Sequence, residues 1–123
     1  MAKMTVPPAL PKLVKPTLDT PFHIDYDWWE KSGRRPETMT RSEIRRTVED
    51  FVSAAVRMVR VGGYDGVQIH ASHGYLIGQF LSPLTNRRDD EYGGTDRKRA
   101  RLLYEITDAV RQSLKDVPIS VRL

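Results

Sequence analysis

The sequence predicts an α/β fold with parallel strands. Three observations carry that reading: an amphipathic helical period from residue 44 to 59, short β-rich runs at 67–70 and 119–123, and a second helical stripe between the two runs. The order is helix, strand, long loop, helix, strand, an alternation that implies parallel strands joined by right-handed crossovers. Two strands do not close a core, because a parallel strand needs neighbours on both sides and a helix layer over it. The chain is therefore expected to be part of a larger α/β architecture, as a fragment, a truncated product or one piece of an oligomer.

Residues 1–39 hold six of the eight prolines, from Pro7 to Pro36, and little periodicity. Proline removes a backbone donor and fixes φ, so a long helix is excluded and an irregular or extended segment is expected. Trp28 and Trp29 are its strong apolar anchors. At Thr40 the character changes. Met39-Thr40-Arg41-Ser42-Glu43-Ile44 reads as a capping box, with Thr40 and Glu43 exchanging hydrogen bonds and Met39 and Ile44 placed as a hydrophobic staple. Ile44, Val48, Phe51, Val52, Ala55 and Val59 then form one helical stripe, and Gly62-Gly63 stops it. Val67–His70 is a short strand with Val67 and Ile69 on one face, Gln68 and His70 on the other. A second helix is expected to begin near Thr95, with a stripe at Leu103, Ile106, Val110 and Leu114. Asp116 and Pro118 turn the chain into the strand Ile119–Leu123.

Composition excludes several classes of function. The chain has no cysteine, so disulfides, thiolate catalysis and Cys-based metal sites are ruled out, and a reducing, cytoplasmic location is expected. No run approaches the about 18 apolar residues of a membrane span. The first residues, broken by prolines, lack the apolar core of a secretory signal. The net charge of +4 comes from interleaved acids and bases, notably at 87–91 and 97–101. That pattern reads as a solvated mixed-sign surface rather than a nucleic-acid face.

The candidate site lies at the end of the first strand. His70, His73 and Tyr75 fall within six residues, at the C-terminal end of a parallel strand, where α/β folds place ligands. Gly74 permits a tight turn that aims His73 and Tyr75 into one space. Two imidazoles donating to one oxygen favour negative charge developing on it, and a phenol delivers a proton. Together they suit addition of hydride and then a proton across a polarised double bond. A strand-terminal histidine is as readily a structural residue, and a His-x-x-His pair without further ligands is weak grounds for zinc, so no metal is expected. From Ala71 to Gly94 no regular element is expected beyond a helical turn over 75–81. A loop of that length in a compact domain is usually functional or disordered. Leu76, Ile77, Phe80, Leu81 and Leu84 argue for an ordered excursion that walls a pocket.

The residues GYDGVQIH (63–70), HGYLIGQFLSPLTNRR (73–88) and DEYGG (90–94), with Arg99–Arg111 and the closing PISVRL, resemble the Old Yellow Enzyme family of FMN-dependent ene-reductases from about Thr40 to Leu123. The resemblance implies part of a (β/α)8 TIM barrel, with Val67–His70 and Ile119–Leu123 as about its fourth and fifth strands and FMN at the C-terminal mouth. It divides the chain into an irregular segment, 1–39, and a partial FMN oxidoreductase domain, 40–123. It implies that His70 and His73 bind the activating oxygen of the substrate, that Tyr75 is the proton donor and that Arg122 contacts the flavin. It also implies NADPH or NADH as reductant and an enone-like, electrophilic alkene as acceptor; the interleaved charges and the lack of a long apolar run leave no nucleic-acid or membrane partner expected. Asn86, Arg88, Glu91 and Tyr92 are expected to brace the loop. The chain departs from the family at Arg97-Lys98, where an acid and an amide are usual. Two cations near a helix N-terminus oppose its dipole by about 0.3–1 kcal/mol. Ser72 stands where alanine is frequent.

The resemblance covers too few residues for a whole barrel. Beside the enzyme stands the alternative of a truncated, non-catalytic remnant that acts at most as a binding module. Open barrel edges would favour its self-association.

Overall fold

The structure of the chain, a computed structural model, describes residues 37–123. The expectations for residues 1–36, including the anchors Trp28 and Trp29, lie outside the described residues.

The first helix, α1, spans Arg41–Val56, and its start is the capping box read from the sequence. The Thr40 hydroxyl accepts from the Glu43 amide at 3.2 Å, and the Glu43 carboxylate accepts from the Thr40 amide at 2.8 Å. Met39 and Ile44 are both buried, as a staple requires. The helix does not end cleanly. Arg57–Val61 widen into a π-helical turn, closed by the Gly62 amide donating to the Arg57 carbonyl at 2.9 Å, and Gly63 leaves it at φ 72°. The sequence pattern did not reveal this widening, since a π turn keeps helical residue preferences and changes only the hydrogen-bond step.

Strand β1 is Val67–His70 and strand β2 is Ile119–Arg122. They pair in parallel, Val67 opposite Ile119 and His70 opposite Arg122. Side-chain alternation gives the two faces expected of β1. Ile69 is buried, whereas Gln68 and His70 are exposed. Gln68 donates to the Ser120 hydroxyl across the exposed face at 3.2 Å.

Between the strands run a short helix α2, Leu76–Leu81, a single turn α3, Asp96–Arg99, and the long helix α4, Arg101–Ser113. The Thr95 hydroxyl accepts from the Lys98 amide, so the second helical region starts where the sequence placed it. Asp96 lies in that first turn, where a carboxylate suits the helix dipole, and it pairs with Arg99. The apolar stripe needs a correction. Its first member is Leu102, fully buried, and Leu103 is only partly covered. Leu102, Ile106, Val110 and Leu114 repeat every four residues, so once Ile106 faces inward Leu102 lies one turn above it and Leu103 sits a residue off the line.

Helices α1 and α4 pack more extensively on each other than any other pair of elements. Their buried residues form one cluster with Ile69 of β1 and with Ile77 and Phe80 of α2. None of the described helices is long and apolar enough to cross a membrane.

Candidate functional site

The loop after β1 is held by side chains where it lacks a regular ladder. Asn86 is buried, and its Nδ2 donates to the carbonyls of Phe80 at 2.6 Å and Tyr92 at 2.7 Å. Its Oδ1 accepts from the Arg88 amide at 3.1 Å. The Arg88 guanidinium is buried too. It forks onto Asp90 at 2.9 and 2.6 Å and donates to the Met39 carbonyl at 2.8 Å, tying the loop to the start of α1. Arg41 donates to the Glu91 carboxylate at 2.7 Å, and the Tyr92 hydroxyl donates to Glu105 of α4 at 2.9 Å. Arg99 donates to the carbonyls of Leu81 and Gly94. Gly93 leaves no space for a side chain, since a Cβ there would overlap the Arg88 carbonyl.

Two expectations are revised by this arrangement. Arg88 and Arg99 are not part of a solvated charged face. A guanidinium carries five fixed donors, which satisfy carbonyls that helix or sheet would otherwise occupy. Leu84, expected inside the loop, is 71% exposed. Ile77 and Phe80 are the fully buried residues of α2, and Leu76 and Leu81 pack partly buried against the same cluster.

The Arg88 fork makes one titration visible. Its hydrogen bonds hold the Asp90 carboxyl below its ordinary value of 3.8, against the burial that would raise it; the Tyr92 amide adds to the lowering. The unfolded chain therefore takes up this proton first as pH falls. The contribution to stability is whole above about pH 5 and drains as pH falls past 3.8 toward the folded value. Urea midpoints of the full chain are expected to drop between pH 6 and pH 3, with a shallower drop in Asp90→Asn. Parallel curves would remove Asp90 from the account. The Tyr92 phenol is shifted upward, first by burial and then by Glu105, and stays a donor at neutral pH.

His70 closes β1, and the Ala71 amide donates to the Arg122 carbonyl at 2.8 Å, carrying the parallel ladder to the strand end. A turn follows at once. The Tyr75 amide donates to the Ser72 carbonyl at 3.3 Å, and the two central residues both have positive φ, His73 at 57° and Gly74 at 70°. That pair of signs marks a type I′ turn. Glycine accepts such a φ freely, whereas for histidine it is uncommon and strained. The turn brings the side chains together. The His70 ring lies 5.1 Å from the His73 ring and 5.3 Å from the Tyr75 ring, centroid to centroid, each tilted by 54°. The Ser72 hydroxyl is 3.4 Å from His70 Nδ1. Arg122 stands opposite His70 in the register and is exposed, as are His70, His73 and Tyr75.

Thus His70, His73 and Tyr75 are gathered in one place, and Arg122 shares their strand end. Sequence reasoning placed a turn at Gly74 but did not see that His73 enters the left-handed region with it. No local signal marks that, since His-Gly is compatible with several turn types.

The family model described as the NADH:flavin oxidoreductase / NADH oxidase family matches residues 15–123. The chain belongs to that family. The match begins ahead of Thr40, in the proline-rich part. Among relatives of this chain, the NADPH dehydrogenase of a Geobacillus species is 49% identical over 95 residues, covering 77% of this chain and 27% of that protein. Of solved structures, the Old Yellow Enzyme from a Pichia species superposes with a TM-score of 0.73 at 39% identity, over 76% of this chain and 24% of the other. The old yellow enzyme homologue from Zymomonas mobilis gives 0.67 at 42% identity, over 72% and 24%. The chain thus spans about a quarter of the length of these three proteins.

Proposed function

We propose that this chain forms the acceptor-binding rim of an FMN-dependent oxidoreductase that passes hydride from NADPH or NADH through flavin to an activated C=C bond. In this reading Val67–His70 and Ile119–Arg122 are adjacent strands, the fourth and fifth, of a (β/α)8 barrel, and residues 40–123 are a partial domain. One observation carries the reading: His70 lies within 5.1 Å of His73 and 5.3 Å of Tyr75, ring to ring, at the strand end that also bears Arg122.

The residues fit a flavin. The face formed by Gln68, His70, Ser120 and Arg122 is exposed and polar, and a guanidinium fork suits the electron-rich edge of an isoalloxazine ring. Arg122 would hold that edge, with Gln68 and Ser120 beside it. FMN, when bound, supplies the hydride. The chain's own residues do the rest. His70 and His73 donate hydrogen bonds to the oxygen that activates the alkene, so negative charge is stabilised there as the β-carbon accepts hydride. Tyr75 gives its hydroxyl proton to the α-carbon, completing a net addition of two hydrogens. Tyr75 is 56% exposed, which allows solvent to return the proton. Turn strain is useful here, since a pre-set His73 orientation avoids paying for alignment during the reaction.

Each strand is paired on one side only within the described sheet. Open edges of this kind are the ground for proposing self-association, and for the second reading of a non-catalytic remnant. Purified full chain incubated with FMN separates the two readings. Retention of yellow colour through gel filtration, with bleaching on anaerobic NADPH addition, is expected. Colourless protein with a broad melt would leave only the remnant.

A further inference from the structure

Gln79 lies in α2, four residues beyond Tyr75, and is tied to the site turn more firmly than the turn is tied to itself. Its amide N–H donates to the Tyr75 carbonyl at 2.8 Å. Its side-chain Nε2 donates to the Gly74 carbonyl at 2.7 Å. Its own carbonyl accepts from the Thr85 hydroxyl at 2.6 Å. The bond that closes the turn internally, Tyr75 to Ser72, is longer at 3.3 Å.

The other end of the Gln79 amide decides what the side chain is for. Oε1 is buried and, among the described residues, meets no donor. Burying an amide oxygen without a partner is unfavourable. A methionine would fill nearly the same space and strand no oxygen. What a methionine lacks is the N–H that reaches Gly74. Gly74 is the second of two consecutive left-handed residues and His73 the first. A non-glycine residue stays in that region only where its surroundings over-determine it.

We infer that Gln79 is a positioning residue: its side-chain bond to the Gly74 carbonyl holds the left-handed His73-Gly74 turn, and so aims His73 and Tyr75 at His70. The inference deepens the proposed function and rests on the roles given there to those three side chains. Its geometric part is independent of flavin.

The test uses the full chain with Gln79→Met and Gln79→Glu, read by NMR and thermal melting. In Gln79→Met the melting temperature is expected to hold or rise, because the stranded oxygen is gone and the exposed Gly74 carbonyl turns to water. The ring-to-ring NOEs of His70 with His73 and Tyr75 are expected to be lost. In Gln79→Glu they are expected to be absent at neutral pH, where a carboxylate donates nothing. They should return on acidification, when the protonated carboxyl donates to the same carbonyl; wild-type chain at each pH is the control. Persistence of the NOEs in Gln79→Met overturns the inference. If Gln79→Met fails to fold, NOEs in Gln79→Glu that ignore pH overturn it equally. Colourless chain whose NOEs follow this pattern would sink the proposed function and leave the positioning role standing. Flavin-binding chain whose NOEs survive both substitutions would do the reverse.

Discussion

Replacing Phe80 by alanine is expected to cost about 3–5 kcal/mol of folding free energy. The ring is completely buried in the common cluster. It meets Tyr92 edge to face with centroids 6.3 Å apart, and the Arg88 guanidinium carbon stands 5.9 Å from its centre. Truncation removes transfer energy and leaves a cavity that the surrounding network cannot collapse into, since Asn86 and Arg88 are fixed by bonds to backbone carbonyls. A small domain has only about 5–15 kcal/mol in hand, so such a loss should broaden or abolish the urea transition followed by circular dichroism. Leu84→Ala, at a side chain 71% exposed, is the control and should shift stability by less than about 0.5 kcal/mol. Equal losses would mean that the loop does not pack on the core through Phe80.

Tyr75→Phe should leave the fold intact and damage one chemical step. The hydroxyl belongs to a side chain 56% exposed, and substitutions at such positions move stability by less than about 0.5 kcal/mol. In flavin-loaded chain, stopped-flow should show flavin reduction by NADPH unchanged. Oxidation by an enone should slow by about 10²–10⁴-fold, the usual worth of a positioned acid. Slowing of both half-reactions by the same factor would contradict the assigned role. His70 and His73 would then be carrying the site without a proton donor at Tyr75.

Local chemistry explains what could be read ahead of the structure. The capping box at Thr40 and Glu43, the alternation along Val67–His70 and the helix start at Thr95 depend on neighbours a few residues apart, so sequence spacing determines them. The error at Leu103 arose because two adjacent leucines both suit a helical stripe, and only the packing against α1 selects Leu102. Arg88 was expected to brace the loop, yet its burial was hidden in a run of mixed charges. Its partners, Asp90 and the Met39 carbonyl, are brought together by the fold and not by spacing. The convergence of His70, His73 and Tyr75 followed from their place at a strand end. The left-handed conformation of His73 did not, because the Gln79 bond that accompanies it comes from the next helix.

The α1–α4 packing has a bearing on biosynthesis. The helix carrying Ile44 leaves the ribosome about sixty residues ahead of the one carrying Ile106, an interval of several seconds at roughly 5–20 residues per second. Throughout that delay the apolar stripe of α1 has none of its eventual cover from α4. A nascent chain stalled in this window would be a natural client for a holding chaperone, and slower translation would lengthen the exposure.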